Sequence, residues 1–233
     1  MPDRTDELRI GLERARERIS AACAVAGRDP TEVTLIVVTK TWPADDVRRL
    51  AALGVRDVGE NRDQEAAPKA TATEDLALTW HFIGQLQTNK AASVARYAGL
   101  VHSVDRPVLV SALDKGAAKA GRRIDCLVQV SLDPDDAEGR GGVPLERVAD
   151  MADLVAASPH LRLRGVMGVA PLVGDPAAAF ARLAEARETV RRAYPDADIM
   201  SAGMSDDLEE AVAAGATHLR VGSAILGTRH PRG

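Results

Sequence analysis

The chain has 233 residues, of which 45% are hydrophobic and 27% charged, enough to bury one large core or two small ones and too apolar for a disordered polypeptide. A net charge of -4 leaves no basic footprint, and 3% aromatic residues leave little surface on which bases could stack, so nucleic acid is not an expected partner.

The opening segment MPDRTDELRIGLERARERIS is charged throughout and has no apolar signal region, and no stretch approaches the length of a membrane span, which predicts a cytoplasmic protein without a membrane partner. A first helix is expected over about residues 5–26, stopped by Gly27 and Pro30. Short apolar runs then recur at 33–40, 55–60, 80–84, 100–104, 124–130, 163–169, 197–203 and 218–222. Between them stand segments with helical spacing, among them ADDVRRLAALG, DRPVLVSALDKGAAKAG, LERVADMADLVAAS and PAAAFARLAEARETVRRAY. Eight strands alternating with helices predict an α/β fold, a single (β/α)8 TIM-type barrel spanning the whole chain as one domain, with a doubly wound open sheet as the alternative. Cys23 and Cys126 lie far apart with no ligand-spaced Cys or His nearby, so both read as buried thiols, with neither a disulfide nor a metal site. The Gly- and Asp-rich stretch 132–144 reads as a surface loop or as a lid over the barrel mouth.

In such barrels chemistry sits at the carboxyl ends of the strands, and phosphate is often held after strands seven and eight. Lys40 closes the first run, VTLIVVTK, where partial desolvation could make its amine a Schiff-base nucleophile; a solvated cap is the plainer reading. After strand seven comes SAGMSDD, in which Gly203 permits close backbone approach while Ser201 and Ser205 supply hydroxyls. After strand eight comes RVGSAILG, in which Gly222 and Ser223 open a short helix. Ser205 reads equally as an N-cap and Gly222 as a turn residue. Strands one and eight are neighbours in a closed barrel, so the ligand should carry a carbonyl for the amine and a phosphate a ring-width away. Pyridoxal phosphate meets that description. Arg220 is placed to face its pyridine nitrogen, or else to form an ion pair, and Asn61 to reach its phenolic oxygen, or else to cap the following helix. His81 lies inside strand three, and a structural role outweighs a catalytic one.

The motifs VVTKTWP, VGENRDQE, WHFIGQLQTNK, LRGVMGVAP and SAGMSDDLEEAVAAGATHLRVGSAILG together resemble the pyridoxal phosphate homeostasis protein family, of the YggS and PROSC type, across nearly the whole chain. The resemblance implies a fold-type III barrel like the alanine racemase N-terminal domain, with pyridoxal 5'-phosphate on Lys40. It supports phosphate roles for Ser201, Ser205, Gly222 and Ser223, the Arg220 contact and a supporting Asn61. Many relatives carry Met at Ala202, Thr at Ser223 and Phe at Leu226, departures that leave the cofactor reading intact. The resemblance also implies a monomeric carrier or regulator of intracellular vitamin B6 and amino-acid balance, with dependent apoenzymes as possible recipients and no catalytic residues. A small racemase or decarboxylase is the alternative: the second base that racemases of this fold draw from a further domain is not read in this sequence, and an arginine at the ring nitrogen makes a poorer electron sink. A Schiff-base aldolase is disfavoured by the position of the lysine and by RVGSAILG.

Overall fold

A computed structural model describes residues 3–133 and 141–227. Eight parallel strands close into a barrel in chain order: β1 (Thr34–Val38), β2 (Asp57–Glu60), β3 (Thr79–Phe82), β4 (Leu100–Val104), β5 (Ile124–Gln129), β6 (Leu161–Met167), β7 (Ile199–Ser201) and β8 (His218–Val221). β1 pairs with both β2 and β8, which closes the ring and excludes the open sheet. Six of the predicted runs contain their strands, while β3 begins one residue and β6 two residues before its run. Most strands are shorter than their runs, because the last residues of several runs leave the ladder to form the mouth.

The helices cover the outer face: α1 (Arg4–Val25), α2 (Ala44–Ala52), α3 (Asp63–Ala72), α4 (Ala91–Tyr97), α5 (Pro107–Lys119), α6 (Val148–Ala156), α7 (Pro176–Ala193), α8 (Leu208–Ala213) and α9 (Ser223–Leu226). Alternation along each strand sorts side chains between two cores. On β1, Val37 joins the layer between strands and helices, whereas Ile36 and Val38 meet Gly59 inside the barrel. The outer layer is continuous and apolar, with Leu50, Leu113, Phe180 and Leu183 fully buried in it. Cys23 and Cys126 are free and buried, and burial pushes the Cys126 thiol well up.

Helix α1 starts on an Asp3 cap, whose side chain accepts from the Asp6 amide, and it packs beside the barrel rather than between two strands. Its buried stripe, Leu8, Leu12, Ala15 and Ile19, faces the outer layer. Gly11 lets its backbone approach α9 so closely that a Cβ there would stand 2.4 Å from the Ile225 carbonyl oxygen. The loop proposed at 132–144 lies mostly outside the described residues, but its two ends are anchored: Ser131 donates to the Val143 carbonyl, and the Val143 amide donates to the Gln129 carbonyl. Among the described residues no helix is long and apolar enough to cross a membrane, and no cluster of His, Cys, Asp and Glu could hold a metal.

Candidate functional site

Lys40 stands two residues beyond β1, in a turn rather than on the strand. The Trp42 amide donates to the Thr39 carbonyl, which makes Lys40 and Thr41 the central pair of a four-residue turn. Thr41 has φ 68°, the sign required at the third position of a type II turn and an uncommon one for a β-branched residue. Such a conformation persists only where its surroundings hold it, and here α3 does so. Glu65 accepts from the Thr41 amide at 2.8 Å, while Lys69 donates to the Thr39 carbonyl at 2.9 Å and to Glu60 at 2.6 Å. Glu60 also accepts from the Thr39 hydroxyl at 2.7 Å. Burial pushes the Glu60 carboxyl above the usual carboxylate range against the pull of Lys69 and Thr39, and its second oxygen has no partner among the described residues. Lys40 itself is exposed; its position continues the alternation of Ile36 and Val38, the residues of the barrel interior.

The loops after β7 and β8 meet at their serines. Ser205 Oγ lies 3.3 Å from Ser223 Oγ, bringing together two hydroxyls from positions 18 residues apart. Neither serine spends its side chain on a helix cap: α8 is capped by Asp207, whose carboxylate accepts from the Met204 amide, and α9 by Gly222. Gly203, between Ser201 and Ser205, has φ 87°, and an added Cβ would stand 2.6 Å from that of Ala211. The whole cup is held from behind by α1. Arg18 donates to the Ser205 carbonyl and pairs with Glu209, and Arg4 donates to the Leu226 carbonyl and to Asp46 while stacking 4.4 Å over Trp42.

Arg220 lies inside the barrel, 5% exposed, with no carboxylate at ion-pair distance among the described residues. Its guanidinium donates to Ser201 Oγ at 2.6 Å and to the Gly168 carbonyl at 2.9 Å. Burial lowers its pKa to about 10, which still leaves it cationic at neutral pH. Ser201 is fully buried, so the structure places its hydroxyl beneath Arg220 rather than beside Ser205 and Ser223. Asn61 follows β2 directly and lines a groove of about 360 Å³ with Arg62, Gln85 and Lys90. It is not a helix cap, since α3 begins two residues later behind Arg62.

His81 points into the barrel, where it meets His102 at 3.0 Å and Asp57 at 2.9 Å. The sequence reading missed His102, Asp57, Glu60 and Lys69. The available signal was that a polar residue in a strand covered on both faces must find a buried partner.

The model of the alanine racemase N-terminal domain matches residues 10–230. The pyridoxal phosphate homeostasis protein of Mycobacterium tuberculosis is 43% identical over 250 aligned positions, covering 99% of this chain and 96% of that protein. The Escherichia coli K12 protein of the same name is 35% identical, covering 96% and 97%. The chain belongs to the pyridoxal phosphate homeostasis protein family. Among solved structures, that of PipY from Synechococcus elongatus with pyridoxal phosphate bound superposes with a TM-score of 0.77 at 35% identity, covering 90% of this chain and all of that one. Alanine racemase of Corynebacterium glutamicum shares the fold, with a TM-score of 0.69 at 15% identity.

Proposed function

We propose that this chain binds pyridoxal 5'-phosphate at the barrel mouth, with Lys40 as the covalent attachment point, and serves vitamin B6 and amino-acid homeostasis as a carrier without turnover. The observation that carries the reading is the convergence of an exposed lysine on a held turn, a buried arginine with no carboxylate at ion-pair distance among the described residues, and two facing serine hydroxyls beyond the ends of β7 and β8. The donor set fits the ligand: hydroxyls of Ser205 and Ser223 with the backbone at Gly203 and Gly222 for a phosphate, and a cation for a ring nitrogen. When bound, the cofactor supplies an aldehyde and an electron-accepting ring. Lys40 contributes the amine, Asn61 a donor for the phenolic oxygen, and Arg220 a fixed positive charge that opposes protonation of the ring nitrogen. Ser201 takes part through Arg220. The names of the relatives indicate homeostasis rather than catalysis, and we extend that to a cytoplasmic, monomeric single-barrel protein that passes the cofactor to apoenzymes.

Purified protein should be yellow, and borohydride reduction with peptide mapping should place the pyridoxyl group on Lys40. Recovery mainly on Lys69, Lys90 or Lys115 would sink the assignment. Sustained, Lys40-dependent exchange of an amino acid's α-proton in deuterated water would replace the carrier by a small racemase or decarboxylase.

A further inference from the structure

A chain of side chains runs through the barrel from its floor to Arg220. Asp57 Oδ1 lies 2.9 Å from His81 Nε2, His81 Nδ1 3.0 Å from His102 Nε2, His102 Nδ1 2.9 Å from Ser201 Oγ, and Ser201 Oγ 2.6 Å from Arg220 Nη1. The five residues come from β2, β3, β4, β7 and β8. His81, His102, Ser201 and Arg220 are buried, while the Asp57 carboxylate is 26% exposed at the opposite end of the barrel from the mouth.

With both imidazoles neutral, the two ends decide what lies between them. A guanidinium only donates and a carboxylate only accepts. Ser201 Oγ accepts from Arg220 and passes its own hydrogen to His102 Nδ1. His102 must then carry its hydrogen on Nε2 and give it to His81 Nδ1, and His81 in turn carries its hydrogen on Nε2 and gives it to Asp57. Every bond points from arginine to aspartate with both imidazoles neutral. Reversing either neutral ring sets two acceptors or two donors against each other somewhere in the chain. Full burial holds the pKa of His102 well below the ordinary histidine value, as a neutral ring requires.

We propose that Asp57, His81, His102 and Ser201 form a one-directional hydrogen-bond relay, with both histidines fixed as Nε2–H tautomers, that positions Arg220 at the mouth and sets the direction of its free N–H groups toward the ligand's ring nitrogen. Its last clause rests on the cofactor reading above; the tautomers do not. The relay gives a buried arginine with no carboxylate at ion-pair distance among the described residues a fixed acceptor backed by a distant one. His81, His102 and Asp57 are thus positioning residues acting through Ser201.

The tautomers are read in the ligand-free, 15N-labelled protein by long-range proton–nitrogen correlation spectra at neutral pH. Both rings should be protonated at Nε2 alone, and a proton on Nδ1 of His102, or averaging between the two forms, would overturn the relay. Asp57→Ala should release His81 into tautomer averaging and move the visible absorption band of bound pyridoxal phosphate, whereas Asp57→Asn, which retains an acceptor oxygen, should keep both signals near those of the parent. If Asp57→Ala leaves the band where it was while the tautomers average, the coupling to Arg220 is refuted. Should the parent protein retain no pyridoxal phosphate, the cofactor reading falls, and the ligand-free spectra still decide the relay. Because the parent spectra alone can refute the tautomers, the test does not depend on the alanine variant folding.

Discussion

Between the strands and the helices lies a continuous apolar layer, whereas inside the strands the clustered apolar packing is a group of four, Leu100, Leu127, Met167 and Ile199, with Val169 at its edge. Much of the remaining interior belongs to Asp57, His81, His102, Ser201 and Arg220, a file of polar groups that satisfy one another and reach a backbone carbonyl. The outer layer stabilises by burying area, at about 25 cal/mol per Å². The inner file gains little from burial, since each hydrogen bond largely replaces one to water, but an unpaired member would be costly. Such a division lets the polar residues hold fixed positions while stability is secured elsewhere.

Substitution in the outer layer should have the largest effect on stability and the least on the site. Phe180 is fully buried between α7 and the barrel, and Phe180→Ala should lower the unfolding free energy by about 3–5 kcal/mol. Urea denaturation measures this. The pH dependence of stability should keep its parent shape, and a changed shape would mean that the two regions are not separable.

The inner file and its neighbour His218 should show themselves through acid instead. Burial, with the field of His81, lowers the His218 pKa from 6.5 to about 4, and that of His102 falls too. Between those values the unfolded chain binds a proton at His218 that the native barrel refuses, so stability is complete above about pH 6.5 and declines as the pH falls toward 4. His218 is half-buried at the floor, so its share should be roughly 2–3 kcal/mol across that interval. His218→Asn should flatten this part of the stability curve. A slope of parent steepness in the variant would assign the acid sensitivity to other groups, His102 or carboxylates, rather than to His218.

Much of the barrel was legible because strand and helix periods alternate cleanly along the chain, and because Gly27, Gly54, Gly121 and Gly215 stop helices or their turns with positive φ. The placement of loops at strand ends was legible too: that Lys40, Ser205 and Ser223 follow β1, β7 and β8 at the same end of the barrel comes from the strand count alone. The interior file was not. In LVHSV every residue of β4 is buried, so alternation offers no contrast to tell which of His102 and Ser103 points inward. Parity counted from Lys40 and Arg220 assigns faces on their own strands but gives no register across to β3 and β4. The type II turn at Lys40 was also hidden, since Thr41 is a residue that ordinarily avoids its conformation and contacts from α3 help to hold it.

The smallest effect is expected where the outer shell touches the mouth. Arg18 reaches from α1 to the Ser205 carbonyl and to both oxygens of Glu209, so it fixes the backbone of a serine whose hydroxyl faces Ser223. The helix does not depend on that contact, because Leu8, Leu12 and Ile19 are buried along the same stripe. Arg18→Ala should therefore cost about 1 kcal/mol or less of stability, as for other partly exposed ion pairs. Its effect on the mouth should be selective. Fluorescence titration should show affinity for pyridoxal phosphate falling by less than about tenfold, with affinity for pyridoxal unchanged, because only the phosphate would meet the loosened loop. Arg18→Lys should fall between the two, since an ammonium cannot satisfy the carbonyl and both carboxylate oxygens with a planar fork. An equal loss for both ligands would place the role of α1 in the barrel as a whole rather than in the cup.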